Sequence, residues 1–399
     1  MNSYTSSIQH LTFIILLLLV AIKGNAQSTI DSVLSSIEKN NKTIQANVQF
    51  WEAKKLEYQT GLTPNNPTVD YDYLIGTPSN AGNQTDFAVT QSFDFPTAYS
   101  KKKQLSNEQI VQAEFQLTST RQMVLFEAKK VCIELVYRNK YQLELQKRKV
   151  NTEKWLLAFQ KKLEKGDGNI LDVNKAKLQL IEINAAFQEN QSSINQLNQK
   201  LTELNGGQPI VFTDTDYAQL PSLPDFETLE SEIEANDPTR KYLEQEKVIN
   251  QKQVELSKAM SLPKLETGYH YQAILGQRFS GIHFGLSIPL WENKNKVKTQ
   301  QANLIFADLN LEDHRNEHYH HIQQTYEKQQ NLSLTLKEYE SLFKDLNTVK
   351  LLDKSLTLGE ISSIEYFMEM TYYYNALKNY LETEKEYHQT IAELYKYQL

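Results

Sequence analysis

The sequence predicts a mainly α chain with a β part, built as two copies of one helix, β-hairpin, helix unit. Three observations carry that prediction. Residues 97–165 and 292–358 contain neither glycine nor proline, so each stretch can form one very long helix. Just before each of them, the apolar period shortens to two, the signature of paired strands. Finally, marks in the first half return in the second. Ile37-Glu38-Lys39-Asn40 is echoed by Ile233-Glu234-Ala235-Asn236 and Pro67 by Pro263, and Gly166-Asp167 with Leu171-Asp172 by Gly359-Glu360 with Ile364-Glu365. A repeat of about 195 residues follows.

The expected order is a targeting segment (1–26), a first repeat (27–212), a linker (213–226) and a second repeat (227–399). Leu11 to Ile22 is apolar but for Thr12, and Gly24-Asn25-Ala26 forms a small-residue cleavage signal before Gln27, as in an exported protein. In the first repeat, Ser28 to Leu62 reads as a helix with Asp31 as its N-cap, stopped by Thr63-Pro64-Asn65-Asn66-Pro67. A hairpin at about 67–96 comes next. Val69, Tyr71, Tyr73 and Ile75 form one apolar row, and Phe87, Val89, Phe93 and Phe95 the other.

In the second repeat the hairpin spans about 264–291. Leu265, Thr267, Tyr269, Tyr271 and Ala273 are followed by a turn at Gly276 to Gly281, then by Ile282, Phe284, Leu286, Ile288 and Leu290. His270, Gln272, His283 and Ser287 fall on the opposite face.

Each long helix would run about 100 Å at 1.5 Å per residue, so it needs neighbours lying along it. Two turns, 165–172 and 358–365, reverse the chain and return a helix in each copy. The first returning helix carries Val173, Ala176, Leu180, Ile183, Phe187, Asn190, Ile194, Leu197, Leu201 and Leu204 at steps of three and four, a heptad-type seam. In the second, Tyr373, Leu377, Tyr380, Glu384, Tyr387, Ile391 and Leu394 keep the step with aromatics. These stripes are helix-packing core.

Composition narrows the function. With 42 basic against 49 acidic residues the net charge is -7, which does not fit a nucleic-acid partner. A mean hydropathy of -0.55 excludes a bundle of membrane-spanning helices. No phosphate loop, cysteine pair or nucleophile motif is present, so no enzyme activity and no cofactor or resident metal is expected. The single cysteine, Cys132, reads as a small buried hydrophobe.

The oily strand rows need a covering layer, and the helices are already committed to one another. Lipid outside and a polar lumen inside satisfy such strands, at about ten residues each. Four strands cannot close a barrel alone, and an open edge in hydrocarbon leaves backbone groups unpaired, so closure needs further subunits. Lys101, Lys102 and Lys103, and Lys294, Lys296 and Lys298, follow the strands where cationic tips reach lipid phosphates or simply water.

The duplicated unit, the exit Phe284-Gly285-Leu286-Ser287-Ile288-Pro289-Leu290, and the turns Gly166 to Val173 and Gly359 to Tyr366 resemble the TolC family of outer-membrane efflux channels. That resemblance implies a homotrimer with a 12-stranded outer-membrane β-barrel continued by an α-helical tunnel across the periplasm. It implies a passive conduit, a periplasmic adaptor (membrane fusion protein), and an inner-membrane pump of the resistance-nodulation-division type. The two turns would form the periplasmic constriction, with Gly166, Asp172, Gly359 and Glu365 as its residues and the carboxylates as a cation-favouring ring. Their other reading is helix-dipole compensation in the first turn. Ile361 stands where the family's best-known members carry arginine, and Met368 where they carry a second acid, so their latch is not expected here.

Two further features bear on cargo. His314, His318 and His321 share a helix face at i, i+4 and i+7, a spacing that can contact a metal ion or the lumen. The exit Gln91-Ser92-Phe93-Asp94-Phe95-Pro96 resembles the branch that exports heavy-metal cations. The alternative to a channel is a soluble periplasmic coiled-coil or adaptor protein, in which the strands form a small soluble sheet.

Overall fold

The computed structural model describes residues 29–218, 222–345 and 347–399. The targeting segment lies outside the described residues. In order, the elements are α1 (Ile30–Asn40), α2 (Lys42–Tyr58), β1 (Thr68–Leu74), β2 (Gln84–Phe93), α3 (Pro96–Glu164), α4 (Ile170–Leu204), α5 (Phe226–Asn236) and α6 (Pro238–Ala259). They continue with β3 (Lys264–Ile274), β4 (Gln277–Ser287), α7 (Lys296–Asp345), α8 (Thr348–Leu358) and α9 (Ser363–Leu394). No helix among the described residues is long and apolar enough to cross a membrane.

The chain forms two compact units, each drawing segments from both halves of the sequence. One comprises residues up to 42 with 124–222 and 325–396; the other comprises 43–123, 223–324 and 397–399.

In the first unit, the returning helix α4 buries Val173, Ala176, Ile183, Asn190, Ile194, Leu201 and Leu204, seven of the ten seam positions read from the heptad pattern. The polar member of that seam is paired on every side. Asn190 is 1% exposed, donates to the Arg138 carbonyl at 2.9 Å and to Gln142 Oε1 at 2.7 Å, and accepts from Arg138 Nη1 at 3.4 Å. A buried asparagine satisfied in this way fixes the register between helices.

Helix α4 ends at Asn205-Gly206. Gly206 has φ +67°, and a Cβ there would meet the Asn40 carbonyl oxygen at 2.2 Å. Only glycine permits that approach of α1 to the end of α4. Cys132 is fully buried, and burial pushes its thiol up to about 12.

In the second copy the stripe on α9 is aromatic and only partly buried. Tyr373 and Tyr380 pack on Phe343 with ring centroids 5.8 and 5.5 Å apart, and Glu384 pairs with Lys140 at 2.7 Å. Of the stripe only Ile391 and Leu394 are fully buried; the other buried residues of α9 are Leu381, Thr390, Ala392 and residues of its first turns.

The second unit carries the strands. They form one antiparallel sheet in the order β1-β2-β3-β4, so the two hairpins join through β2 and β3. The register aligns the predicted apolar rows across all four strands: Val69 opposes Val89, Val89 opposes Tyr269, and Tyr269 opposes Ile282. Thr68, Thr90, Gly268 and His283 line up on the other face in the same way.

Four expectations are corrected. The first helix is two helices, broken at Asn41, and Thr29 rather than Asp31 caps it; Asp31 lies inside the first turn. The same break recurs at Asp237, with φ and ψ of -62° and 116° against -62° and 124° at Asn41. In both, the backbone N–H reaches the isoleucine carbonyl four residues back at 2.8 Å. The long helix expected over 292–358 is likewise divided, since α7 stops at Asp345 and α8 restarts after Asn347, which precedes it without a side-chain cap bond.

The turn expected at Gly276 to Gly281 is shorter. Ile274 pairs with Gln277, leaving the two residues Leu275 and Gly276, both at positive φ (48° and 82°). That is the dihedral pattern of the tight hairpin turn that matches strand twist. Leucine gives no hint of it, because it seldom adopts positive φ.

Candidate functional site

Within the first unit, the two glycine turns meet. Gly166 and Gly359 close helices α3 and α8 with φ of +80° and +75°, conformations that favour glycine. Each is followed by a capped helix. Asn169 accepts from the Leu171 N–H at 3.0 Å, and Ser362 accepts from the Glu365 N–H at 3.2 Å while Glu365 Oε2 accepts from the Ser362 N–H at 2.8 Å.

Glu365 is therefore part of a reciprocal capping box. The Ser362 backbone bond holds its carboxyl below the ordinary carboxylate range, so it stays ionised at neutral pH. Asp172 plays a different part. It accepts a hydrogen bond from Ser363 Oγ, a contact that ties the start of α4 to the start of α9.

A cleft of about 160 Å³ opens here, lined by Phe159, Lys162, Asp172, Leu356, Ile361 and Ser363. Behind it lies a core of Trp155, Phe159, Val173, Ala176, Leu356, Tyr366, Phe367 and Met370, with Ile361 against it. The core contains a polar chain that the sequence did not reveal. Asn151 Nδ2 donates to Tyr366 OH at 2.9 Å, Tyr366 OH donates to Asp353 Oδ1 at 2.7 Å, and Trp155 Nε1 donates to the same oxygen at 3.0 Å. Burial pushes the Tyr366 phenol upward, keeping it a donor. Met368 faces away from this core and is exposed.

Within the second unit, the sheet presents an exposed apolar face. Val69 and Tyr71 on β1 are each 64% exposed, and Ile282 and Phe284 on β4 are 74% and 78% exposed. β1 and β4 each have one neighbour, so both outer edges keep unpaired backbone groups among the described residues. An apolar surface of this extent with open edges is one that a monomer in water seldom shows. Beyond the strands, Lys101 pairs with Glu255 at 2.7 Å and Lys102 with Asp94 at 2.8 Å, and Trp291 is exposed.

The same unit holds the histidines of α7. His314 and His318 stack with ring centroids 5.3 Å apart. They face the joint between α5 and α6, where His314 Nε2 lies 3.1 Å from Asp237 Oδ2 and His318 Nδ1 lies 2.6 Å from Glu234 Oε1. Asp237, His314 and His318 bring their ligand atoms within 4.8 Å of one another, and His321 is outside that group. The hydrogen bond to the Asp237 carboxylate raises the basicity of His314, and Asp237 itself stays below the ordinary range despite burial. Asp237 was legible as a helix cap, from its place before Pro238; its meeting with α7 was not.

No family model and no curated protein matches the sequence. Solved structures do match. A membrane protein from Pseudomonas aeruginosa superposes with a TM-score of 0.78 at 13% identity, covering 94% of this chain and 90% of that one. The outer membrane protein VceC of Vibrio cholerae gives 0.75 at 12% identity, over 92% and 95%. The CmeC outer membrane channel of Campylobacter jejuni gives 0.71 at 15%, over 92% and 85%. The chain has the fold of these proteins. That likeness extends over more than nine-tenths of this chain in each case. At this identity it concerns the backbone, and the side chains of the sites are this chain's own.

Proposed function

We propose that the chain is the outer-membrane channel component of a tripartite efflux system, a passive conduit for small solutes. One observation carries the reading: a single four-stranded sheet with an apolar row crossing all its strands, a polar opposite face and two open edges. Lipid satisfies the row, a lumen the polar face, and neighbouring subunits the edges. Three copies supply twelve strands, enough to close a barrel. The long helices then form the periplasmic tunnel, and the turns bearing Gly166, Asp172, Gly359 and Glu365 its constriction. A periplasmic adaptor and an inner-membrane pump of the resistance-nodulation-division type complete the route and supply the energy. The fold shared with CmeC and VceC supports this reading.

Purified from outer membranes in detergent, the protein is expected to have the mass of three chains. In planar bilayers it should give discrete conductance whose cation preference weakens in the D172N/E365Q double variant. A monomer that stays dispersed in detergent-free buffer would overturn the proposal and favour the soluble coiled-coil reading.

Metal cations are the second candidate cargo, favoured by the histidine pair on α7 and the exit Gln91 to Pro96. Cells carrying His314, His318 and His321 as alanine should then lose resistance to transition-metal salts while keeping resistance to organic solutes. Unchanged metal resistance would remove that cargo.

A further inference from the structure

We infer that Asp237, His314 and His318 form a resident site for a transition-metal dication that clasps α7 to the joint between α5 and α6. The inference concerns a bound ion and not a transported one, so it stands or falls apart from the channel reading.

The donor set comes first. Two imidazoles and a carboxylate suit zinc and its neighbours, and a tetrahedral site with bonds of about 2.0–2.1 Å requires ligand atoms about 3.3 Å apart. His314 Nε2 and His318 Nδ1 lie 3.1 and 3.9 Å from Asp237 Oδ2, on either side of that value. The two ring nitrogens lie within 4.8 Å of each other, so side-chain adjustments on the order of 1 Å, shared between the rings, bring all three onto one ion.

The carboxylate is already oriented. Asp237 is the N-cap of α6, with Oδ1 accepting from the Thr239 N–H at 3.1 Å and Oδ2 from the Arg240 N–H at 3.0 Å. Outer bonds of this kind fix a ligand's direction before the metal arrives. The histidines are held a turn apart on one long helix, their rings stacked. All three side chains are no more than 23% exposed, which limits competition from water.

Charge favours a cation. Asp237 and Glu234 face the pair with two negative charges, and Arg240, whose Nε lies 3.6 Å from Glu234 Oε2, offsets one. His314 Nε2 and His318 Nδ1, the ring nitrogens that face Asp237 and Glu234, would turn to the ion, with each ring's proton carried on its other nitrogen.

The internal repeat supplies a control within the molecule. The equivalent joint in the first copy has the same dihedrals with Asn41 in place of Asp237, and Asn41 Nδ2 donates to the Leu204 carbonyl at 2.7 Å. An amide suffices to build the bend. The carboxylate and the two histidines are therefore additional to what the backbone geometry needs.

The test uses the full-length protein in detergent, stripped with chelator, desalted and offered zinc sulfate. Wild type should retain one Zn²⁺ per chain by elemental analysis, melt at a higher temperature with zinc than without, and give a visible band of four-coordinate type when loaded with Co²⁺. D237N/H314Q/H318Q should fall to background with native circular dichroism, and H320Q, on the same helix but outside the group, should bind as wild type does. If the triple variant does not fold, H314Q alone should weaken zinc binding at least about tenfold, the effect of losing one contact to the ion. Wild type binding no more zinc than the triple variant, or H314Q binding as tightly as wild type, would overturn the inference.

Discussion

Asn190 shows how a single polar residue can look like a flaw in a heptad stripe and serve as its register pin. Its amide meets two oxygens and its carbonyl one guanidinium in a buried seam. N190A should lower stability by about 1–3 kcal/mol, because it strands the Arg138 carbonyl and the Gln142 amide, and thermal melting in detergent would measure it.

His388 makes the corresponding point for charge. It stacks on Tyr217 at 4.0 Å, and burial, with Lys140 near by, depresses its pKa from 6.5 to about 4. The charged groups lining that cleft with it are Lys140, Asp216, Lys337, Glu340 and Glu384. The unfolded chain takes up a proton near pH 6.5 while the folded chain resists until about pH 4. The contribution of His388 is therefore complete above pH 6.5 and is lost as pH falls through that window, by at most about 3 kcal/mol. Melting temperatures at pH 7.5 and 5.0 should differ less in H388F than in wild type. The residue-scale consequences of burial were hidden in the sequence, where Asn190 was one position of a heptad-type seam with no partner in view and His388 carried no signal at all.

Among the elements, the paired turns hold the tightest local design. Gly359, Ser362 and Glu365 terminate one helix and start the next within seven residues, and the Ser362-x-x-Glu365 spacing announces this in the sequence. S362A removes the cap and should destabilise α9 by about 1 kcal/mol, read as faster proteolysis at the turn. The Asp172 to Ser363 bond ties the two turns together over the apolar core they share. S363A leaves each cap intact and should raise the open fraction in single-channel recordings. An unchanged open fraction would show that the bond does not hold the turns together. Element identity was plain from periodicity and breakers. Boundaries were missed where the local residue gives no cue, as at Leu275-Gly276 and Asn347, or where a bend is set by a cap rather than by a breaker, as at Asn41 and Asp237.

At the scale of the whole molecule, the sheet is the feature that demands an environment and partners. Its apolar row is continuous only because β2 pairs with β3, which joins hairpins about 180 residues apart in the chain. A single lysine at Tyr269, in the middle of that row, should cost about 2–4 kcal/mol in a lipid-facing strand and lower recovery of the trimer from outer membranes. The same change at Gln272, on the opposite face, should leave recovery unaltered. Equal losses for Y269K and Q272K would show that the two faces do not see different surroundings.

Binary pattern and repeat by themselves determined the kind and order of the elements, the two oily rows, the seam on α4 and the pair of reversing turns, because each depends on residues within a few turns of one another. Tertiary structure decided everything that required distant segments to meet. It joined the hairpins into one sheet, brought Ser363 to Asp172 across 191 positions, and set Asp237 beside His314 across 77. Local periodicity records which face of an element is buried; it holds no record of what that face is buried against.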